Sequence, residues 1–147
     1  MKAESNTNPN KFDIENIVNG KCDIVFFDNI QELEPTENGE KRYSFDIYRL
    51  TTNDREGLES ELNENEEKYQ AWLELAKKTE YDKLANEIRS KRDELLNSTD
   101  WTQMQDTSLS EEMVRKYQVY RQLLRDVPEQ EGFPYDVEFP VLEGQGD

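Results

Sequence analysis

The side chains able to do chemistry in this sequence are overwhelmingly carboxylates: Asp and Glu number 34 among 147 residues, against 18 Lys and Arg, one Cys and no His. Without an imidazole there is no His-based triad, no His acid–base pair and no Cys/His zinc site. Cys22 alone cannot build a disulfide framework. Carboxylates act in catalysis when two converge across a concave pocket, as in glycoside hydrolysis. Here they sit at helical spacing with neighbours such as Glu87 with Lys91 and Asp82 with Asn86, the pattern of a solvated face. A calcium loop of the D-x-[DN]-x-[DN]-G type is missing. Its nearest approach, Asn63-Glu64-Asn65-Glu66-Glu67, would spread its side chains around a helical cylinder. The six glycines are scattered, so no phosphate-cradling loop is expected. Cys22 stands at the head of a predicted strand and reads as a buried structural thiol. The sequence thus predicts no catalytic residue, no cofactor and no metal site.

The formal net charge of −16 disfavours nucleic acid as a partner, because phosphate contacts need clustered Lys and Arg. No apolar run approaches the length of a membrane span, and the start, MKAESNTNPN, has no apolar signal core. A soluble protein working inside a cell is the expectation. Hydrophobic residues make up only 33%, which leans towards disorder, yet 10% aromatics is too many for a wholly disordered chain.

The elements that must carry these residues follow from local pattern. Residues 1–11 are polar and read as a flexible tail. Cys22 to Asp28 is β-branched and aromatic, and Tyr43 to Leu50 alternates, with Tyr43, Phe45 and Ile47 on one face. The Asn38-Gly39 step between them marks a turn, so a hairpin or small antiparallel sheet is predicted over 12–52. Two strands alone are marginal and need a helix, a third strand from about 12–18, or a partner. Asn53 with Glu56 resembles a capping box opening a helical run to about Asn97. As a single helix this run would be about 67 Å long, so a break is expected, near 57–65 or near 77–79. Lys91 and Arg92 suit the negative end of its dipole. Ser108, with Glu111, is the expected cap of a second helix ending near Asp126, with a seam of Met113, Tyr117, Tyr120, Leu124 and Val127. The two helices fold back as an antiparallel hairpin. Residues 133–141 carry two prolines and read as an extended strip over the helices, and 142–147 as a second flexible tail.

Four features could grip a partner or plug the hairpin. Trp101 lies just past the first long helix. Arg121 and Arg125 put basic charge on one face of the second, either paired with Asp93, Glu94 or Asp126 or holding an acidic partner. Phe133-Pro134 and Phe139-Pro140 place apolar side chains on a segment with no basic residue, fit to pack on the hairpin or to dock on a partner. Residues 54–67 hold seven acids and only two leucines, Leu58 and Leu62, and are expected to order only against a partner.

The run Ile88-Arg89-Ser90-Lys91-Arg92-Asp93-Glu94-Leu95-Leu96-Asn97-Ser98-Thr99-Asp100-Trp101-Thr102 is followed by Asp106, Leu109-Ser110, Tyr120 to Pro128, Gly132-Phe133-Pro134 and Phe139-Pro140. In that order and spacing it resembles the tail assembly chaperone family of tailed bacteriophages. The family pattern runs R-x-K-R-D-x-L-L, T-D-W, Y-R-Q-x-L-R-D and G-F-P…W-P. The likeness covers 87–141, and Phe139 stands where the family more often has Trp. The resemblance implies a non-enzymatic protein that helps phage tail or tail-fibre parts assemble in the host cytoplasm. The alternative is a structural minor tail or fibre-associated subunit kept in the virion. The implied partner is a phage tail or tail-fibre protein, with no nucleic acid and no membrane, and the polar helix over 54–67 leaves room for a homo-oligomer. The expected fold is α+β: a small N-terminal antiparallel hairpin or sheet, then a long helix and an antiparallel helical hairpin over 53–141 with an extended C-terminal strip.

Overall fold

A computed structural model describes residues 1–16 and 18–142 of the chain. The architecture is α+β, a four-stranded antiparallel sheet followed by a long helix and shorter ones. The strands are β1 (Lys2–Ser5), β2 (Phe12–Asn16), β3 (Lys21–Leu33) and β4 (Arg42–Asn53), in the order β1-β4-β3-β2. The third strand expected from 12–18 is β2. The start of the chain, expected as a tail, instead forms edge strand β1. Its sequence, Lys-Ala-Glu-Ser, has no strand pattern, and its pairing partner is β4, so the pairing is dictated by the neighbour. Asn19 and Gly20, both at positive φ, make the tight turn into β3, and Gly39 the one into β4.

Cross-strand register decides which residues form the core. It aligns Phe12 with Phe26, Ile14 with Ile24, Phe26 with Tyr48 and Ile24 with Leu50 on one face. Helices α1 (Leu58–Glu64) and α2 (Glu66–Ser98) lay Leu58, Leu62, Tyr69, Leu73 and Ala76 on that face. The Tyr69 ring lies 5.6 Å from Phe26 and 6.1 Å from Phe12. Tyr43, Phe45 and Ile47 share the opposite face with Val25 and Phe27, where Phe27 and Phe45 meet edge to face at 5.4 Å.

The helical run breaks within the first of the two expected windows. Asn65 is extended, and its Oδ1 accepts from the Lys68 amide at 3.0 Å, so it ends α1 and caps α2. At 77–79 the helix continues: Lys77 pairs with Asp28 at 2.8 Å and with Glu74 at 3.0 Å. The capping box expected at Asn53 does not form, because α1 starts later, behind Gly57 at φ 80°, with no side-chain cap. Nor does the acidic 54–67 stretch wait for a partner. Leu58 and Leu62, four apart, fall on one helix face and are buried against the sheet, and the acids take the outer face. Two leucines suffice because a short amphipathic helix needs only its inner stripe.

The chain divides into two compact units, Met1–Glu80 and Tyr81–Asp147. The first unit holds the sheet, α1 and the first part of α2. The second unit holds the rest of α2, a 3-10 turn (Asp100–Gln103), α3 (Glu111–Asp126) and a second 3-10 turn (Val127–Glu129). Ser110, not Ser108, caps α3, its Oγ accepting from the Met113 amide at 3.3 Å. Of the extended strip expected at 133–141, residues 133–136 form a turn and bend instead, closed by the Tyr135 and Asp136 amides on the Gly132 carbonyl, and 137–142 belong to no helix or strand. Of the tail expected at 142–147, residues 143–147 lie outside the described residues. Among the described residues, no helix is long and apolar enough to cross a membrane.

Candidate partner-binding surface

The second unit is organised around the end of α2. A helix leaves its last carbonyls without intrahelical donors and carries partial negative charge there. Lys91 and Arg92 do not serve this end: α2 has no basic residue in its last turn, and Arg92 pairs with Asp93 at 2.7 Å. Arg121 of α3 serves it. Its guanidinium donates to the Leu96 carbonyl at 2.6 Å, to Thr99 Oγ1 at 2.8 Å and to Asp100 Oδ1 at 2.6 Å. Arg121 is only 8% exposed, so neither its expected partners nor an outside acid reaches it as a surface charge. The fully buried plug of this corner is Thr102, whose Oγ1 donates to the Thr99 carbonyl at 2.7 Å. Trp101 beside it is 49% exposed, its ring 6.1 Å from Tyr117.

The strip after α3 is tied down residue by residue. Phe133 lies edge-on to Tyr81 at 6.4 Å and under Arg89 at 5.2 Å. The Phe133-Pro134 peptide is cis, and Pro134 is buried. Lys91 Nζ stands 4.3 Å over the Phe139 ring, and Pro140 is half-buried. The Gln130 amide makes a strand-like clasp, donating to the Glu138 carbonyl and accepting from its N–H, both at 2.8 Å. Gly132 is held by space: a Cβ there would come within 2.1 Å of the Asp136 carbonyl oxygen.

The candidate residues thus fall into two sets. Trp101 and Arg121 meet at the α2–α3 corner, and Phe133, Pro134, Phe139 and Pro140 belong to the strip. Arg125 is exposed and belongs to neither. Thr102 and Gly132 stand in the family-like motifs but not among the candidates, and Gln130 in neither; polar or small, they carry no periodic signal. Val119 and Leu123 were missed too, exposed apolar residues four apart on α3. Their signal was available as a second stripe, Lys116-Val119-Tyr120-Leu123, beside the buried one.

Elsewhere several carboxylates sit in ion pairs. Glu61 is held below the ordinary carboxylate range by hydrogen bonds from Lys68 and Arg55, and Glu66 by those from Lys11 and Gln70. Burial pushes the fully buried Cys22 thiol up, as for a structural thiol. Among the described residues, no group of three or more His, Cys, Asp or Glu is placed to hold a metal ion.

Comparison with known proteins adds one match. Residues 85–142 fit the family model of the phage tail assembly chaperone protein, the family suggested by the motifs between 87 and 141. No curated protein and no solved structure matches the chain.

Proposed function

We propose that this chain is a non-enzymatic bacteriophage tail or tail-fibre assembly protein, a chaperone-like module that binds tail or fibre components in the host cytoplasm. One observation supports this reading above the others. The segment that matches the tail assembly chaperone family, 85–142, coincides with the second compact unit, Tyr81–Asp147. The match therefore spans a whole folding unit. Within it, the T-D-W and Y-R-Q-x-L-R-D motifs meet in the Arg121 cluster, and the G-F-P motif anchors the strip. Motif residues used in this way build a scaffold, and the exposed surface around them is left to bind. The net charge of −16 would steer the whole chain towards basic surfaces on assembling parts.

The test has two arms, pull-down with the tagged chain from phage-producing cells and mass spectrometry of purified virions. Capture of a tail or fibre component, with the chain missing from virions, is the expected result. Presence in virions at stoichiometric copy number would make it a structural tail subunit instead. Capture of no tail or fibre component would sink the assembly role.

A further inference from the structure

The sheet ends on β2 with its outer edge open. The Phe27 amide donates to the Lys11 carbonyl, so in this antiparallel ladder the N–H and C=O groups of Lys11, Asp13 and Glu15 turn inward to β3. Those of Phe12, Ile14 and Asn16 turn outward, and β2 is the last strand of its order, so no neighbouring strand meets them. A cavity of about 610 Å³ runs along this edge between Asn10 to Ile14 and Glu59 and Asn63 of α1. Consecutive strand residues line one cavity only at the edge of a strand, because their side chains alternate between its two faces. A second cavity, of about 370 Å³, shares Ile14 and Glu59 with the first and reaches Asn16, Asp54 and Leu58. The edge is acidic. Lys11 is held by Glu66 at 2.7 Å and Arg55 by Glu61, which Lys68 shares. Among the described residues, Asp13, Asp54 and Glu59 have no ion pair; Asp13 accepts from the Asn10 side-chain amide at 3.3 Å. With the partners counted, five carboxylates stand against three cations here.

We infer that this edge takes up an extended segment of another protein as a fifth strand, antiparallel to β2, and that the segment reads basic-x-apolar-basic-apolar. The inference deepens the proposed binding role and rests on it for the partner being a tail or fibre component. Main-chain hydrogen bonds to Phe12 and Ile14 supply the attachment, and the surroundings of alternate side chains supply the choice. Residues opposite Phe12 and Ile14 share their face and are apolar, because those two side chains belong to or pack on the core there. The residue between them points to the other face, directly opposite Asp13, where a Lys or Arg meets an unpaired carboxylate. The residue opposite Asn16 opens onto the second cavity, where Asp54 and Glu59 favour a second cation. A second copy of the chain is a poor occupant. Its own β2 edge sets Asp13 and Glu15 against the same acids. The stretch of its β4 beyond β1 holds its cation, Arg49, on Glu15 at 2.7 Å, and each copy carries −16.

The test uses the full chain and labelled peptides of about nine residues that carry this pattern. One has Lys at the basic positions and one has Glu there. A third is the Lys peptide N-methylated on its apolar residues, which keeps the charge but removes the donors that face Phe12 and Ile14. By fluorescence anisotropy the Lys peptide should bind at least about tenfold more tightly than either of the others. The Asp13→Lys/Glu59→Lys variant should invert the order of the Lys and Glu peptides while circular dichroism stays unchanged. In the complex, amide exchange should slow at Phe12 and Ile14, whose N–H groups gain acceptors, and stay as it was at Asp13, already paired with Val25. Equal binding of the Lys and Glu peptides, undiminished binding of the methylated one, or unaltered exchange at Phe12 and Ile14 overturns the inference. So does a dimer in sedimentation that protects the same amides with no peptide present, since a second copy would then hold the edge. If wild type and Asp13→Lys/Glu59→Lys capture the same tail component equally, the edge assignment falls and the assembly role stands. If peptide selectivity holds but no tail component is captured, the edge assignment stands and the assembly role falls.

Discussion

Arg121 and Asp100, 21 residues apart, meet at 2.6 Å at the corner where α2 ends, and the same guanidinium caps the Leu96 carbonyl. A planar fork with five donors can serve the carbonyl, the Thr99 hydroxyl and the carboxylate at once, whereas an ammonium cannot match that geometry. Arg121→Ala should therefore destabilise the second unit by about 2–3 kcal/mol, through orphaned acceptors and lost packing. Arg121→Lys should recover only part of this. Asp100→Asn should cost less, about 0–1 kcal/mol, because its carboxylate is largely exposed. Chemical denaturation followed by circular dichroism reads all three. An unchanged midpoint in Arg121→Ala, together with lost partner capture, would return Arg121 to the role of an outward-facing grip.

The first unit depends on a different device. Leu62 is fully buried and closes the core from α1, a helix too short to persist by itself. Leu62→Ala should cost about 2–5 kcal/mol. It should also release α1 and speed amide exchange over 58–64. Neutralising Glu59 or Glu64 on the exposed side should shift stability by less than about 0.5 kcal/mol. If the acidic changes proved the costlier, the order in this stretch would be electrostatic and not hydrophobic.

The same two clusters show what the sequence could reveal. The blocks at 22–28 and 43–50 were legible as strands because branched and aromatic residues concentrate there. The helices were legible because apolar residues recur at three and four. Strand β1 was not, since Lys2 to Ser5 is polar and becomes a strand only by pairing with β4. The helix break at Asn65 could be narrowed only to a window, because its cap is one amide oxygen reaching one N–H. At the candidate surface, Trp101, Phe133 and Phe139 stood out by type. The cap supplied by Arg121 to another helix did not, because neither helix announces the meeting of residues more than twenty apart in sequence.

Gly132 tests whether the G-F-P motif is steric. The Tyr135 and Asp136 amides both donate to the Gly132 carbonyl at 2.8 Å, which draws the turn so tight that a methyl group would strike backbone. Gly132→Ala should cost about 1–3 kcal/mol by overpacking. It should also loosen the strip, seen as faster proteolysis after residue 132 and loss of the Phe139 contact with Lys91. Wild-type stability and protease resistance in this variant would show that the turn opens without penalty.

The pH dependence should be one-sided. Glu61 and Glu66 have lowered folded pKa values, first through hydrogen bonds from Lys68 and from Lys11 respectively. Such groups contribute stability that is fully present above their unfolded values, about 4.3 for Glu, and is lost as pH falls through the folded values. At Lys77, burial pulls the pKa down, but the hydrogen bonds to Asp28 and Glu74 outweigh it and leave the pKa raised. Its contribution is complete below the unfolded value of about 10.4 and declines only as pH rises beyond it towards the folded value. Between pH 6 and 9 these three groups should leave the first unit's stability flat, with a decline setting in below about pH 5. Thermal melts across this range, at low salt and at about 1 M salt, check the assignment. Because Glu61 and Glu66 are exposed enough for their pairs to be screened, the acid limb should shrink at high salt. Stability rising as pH drops from 6 to 4 would mean that relief of the −16 charge outweighs these pairs, and that the exposed acids work against the fold.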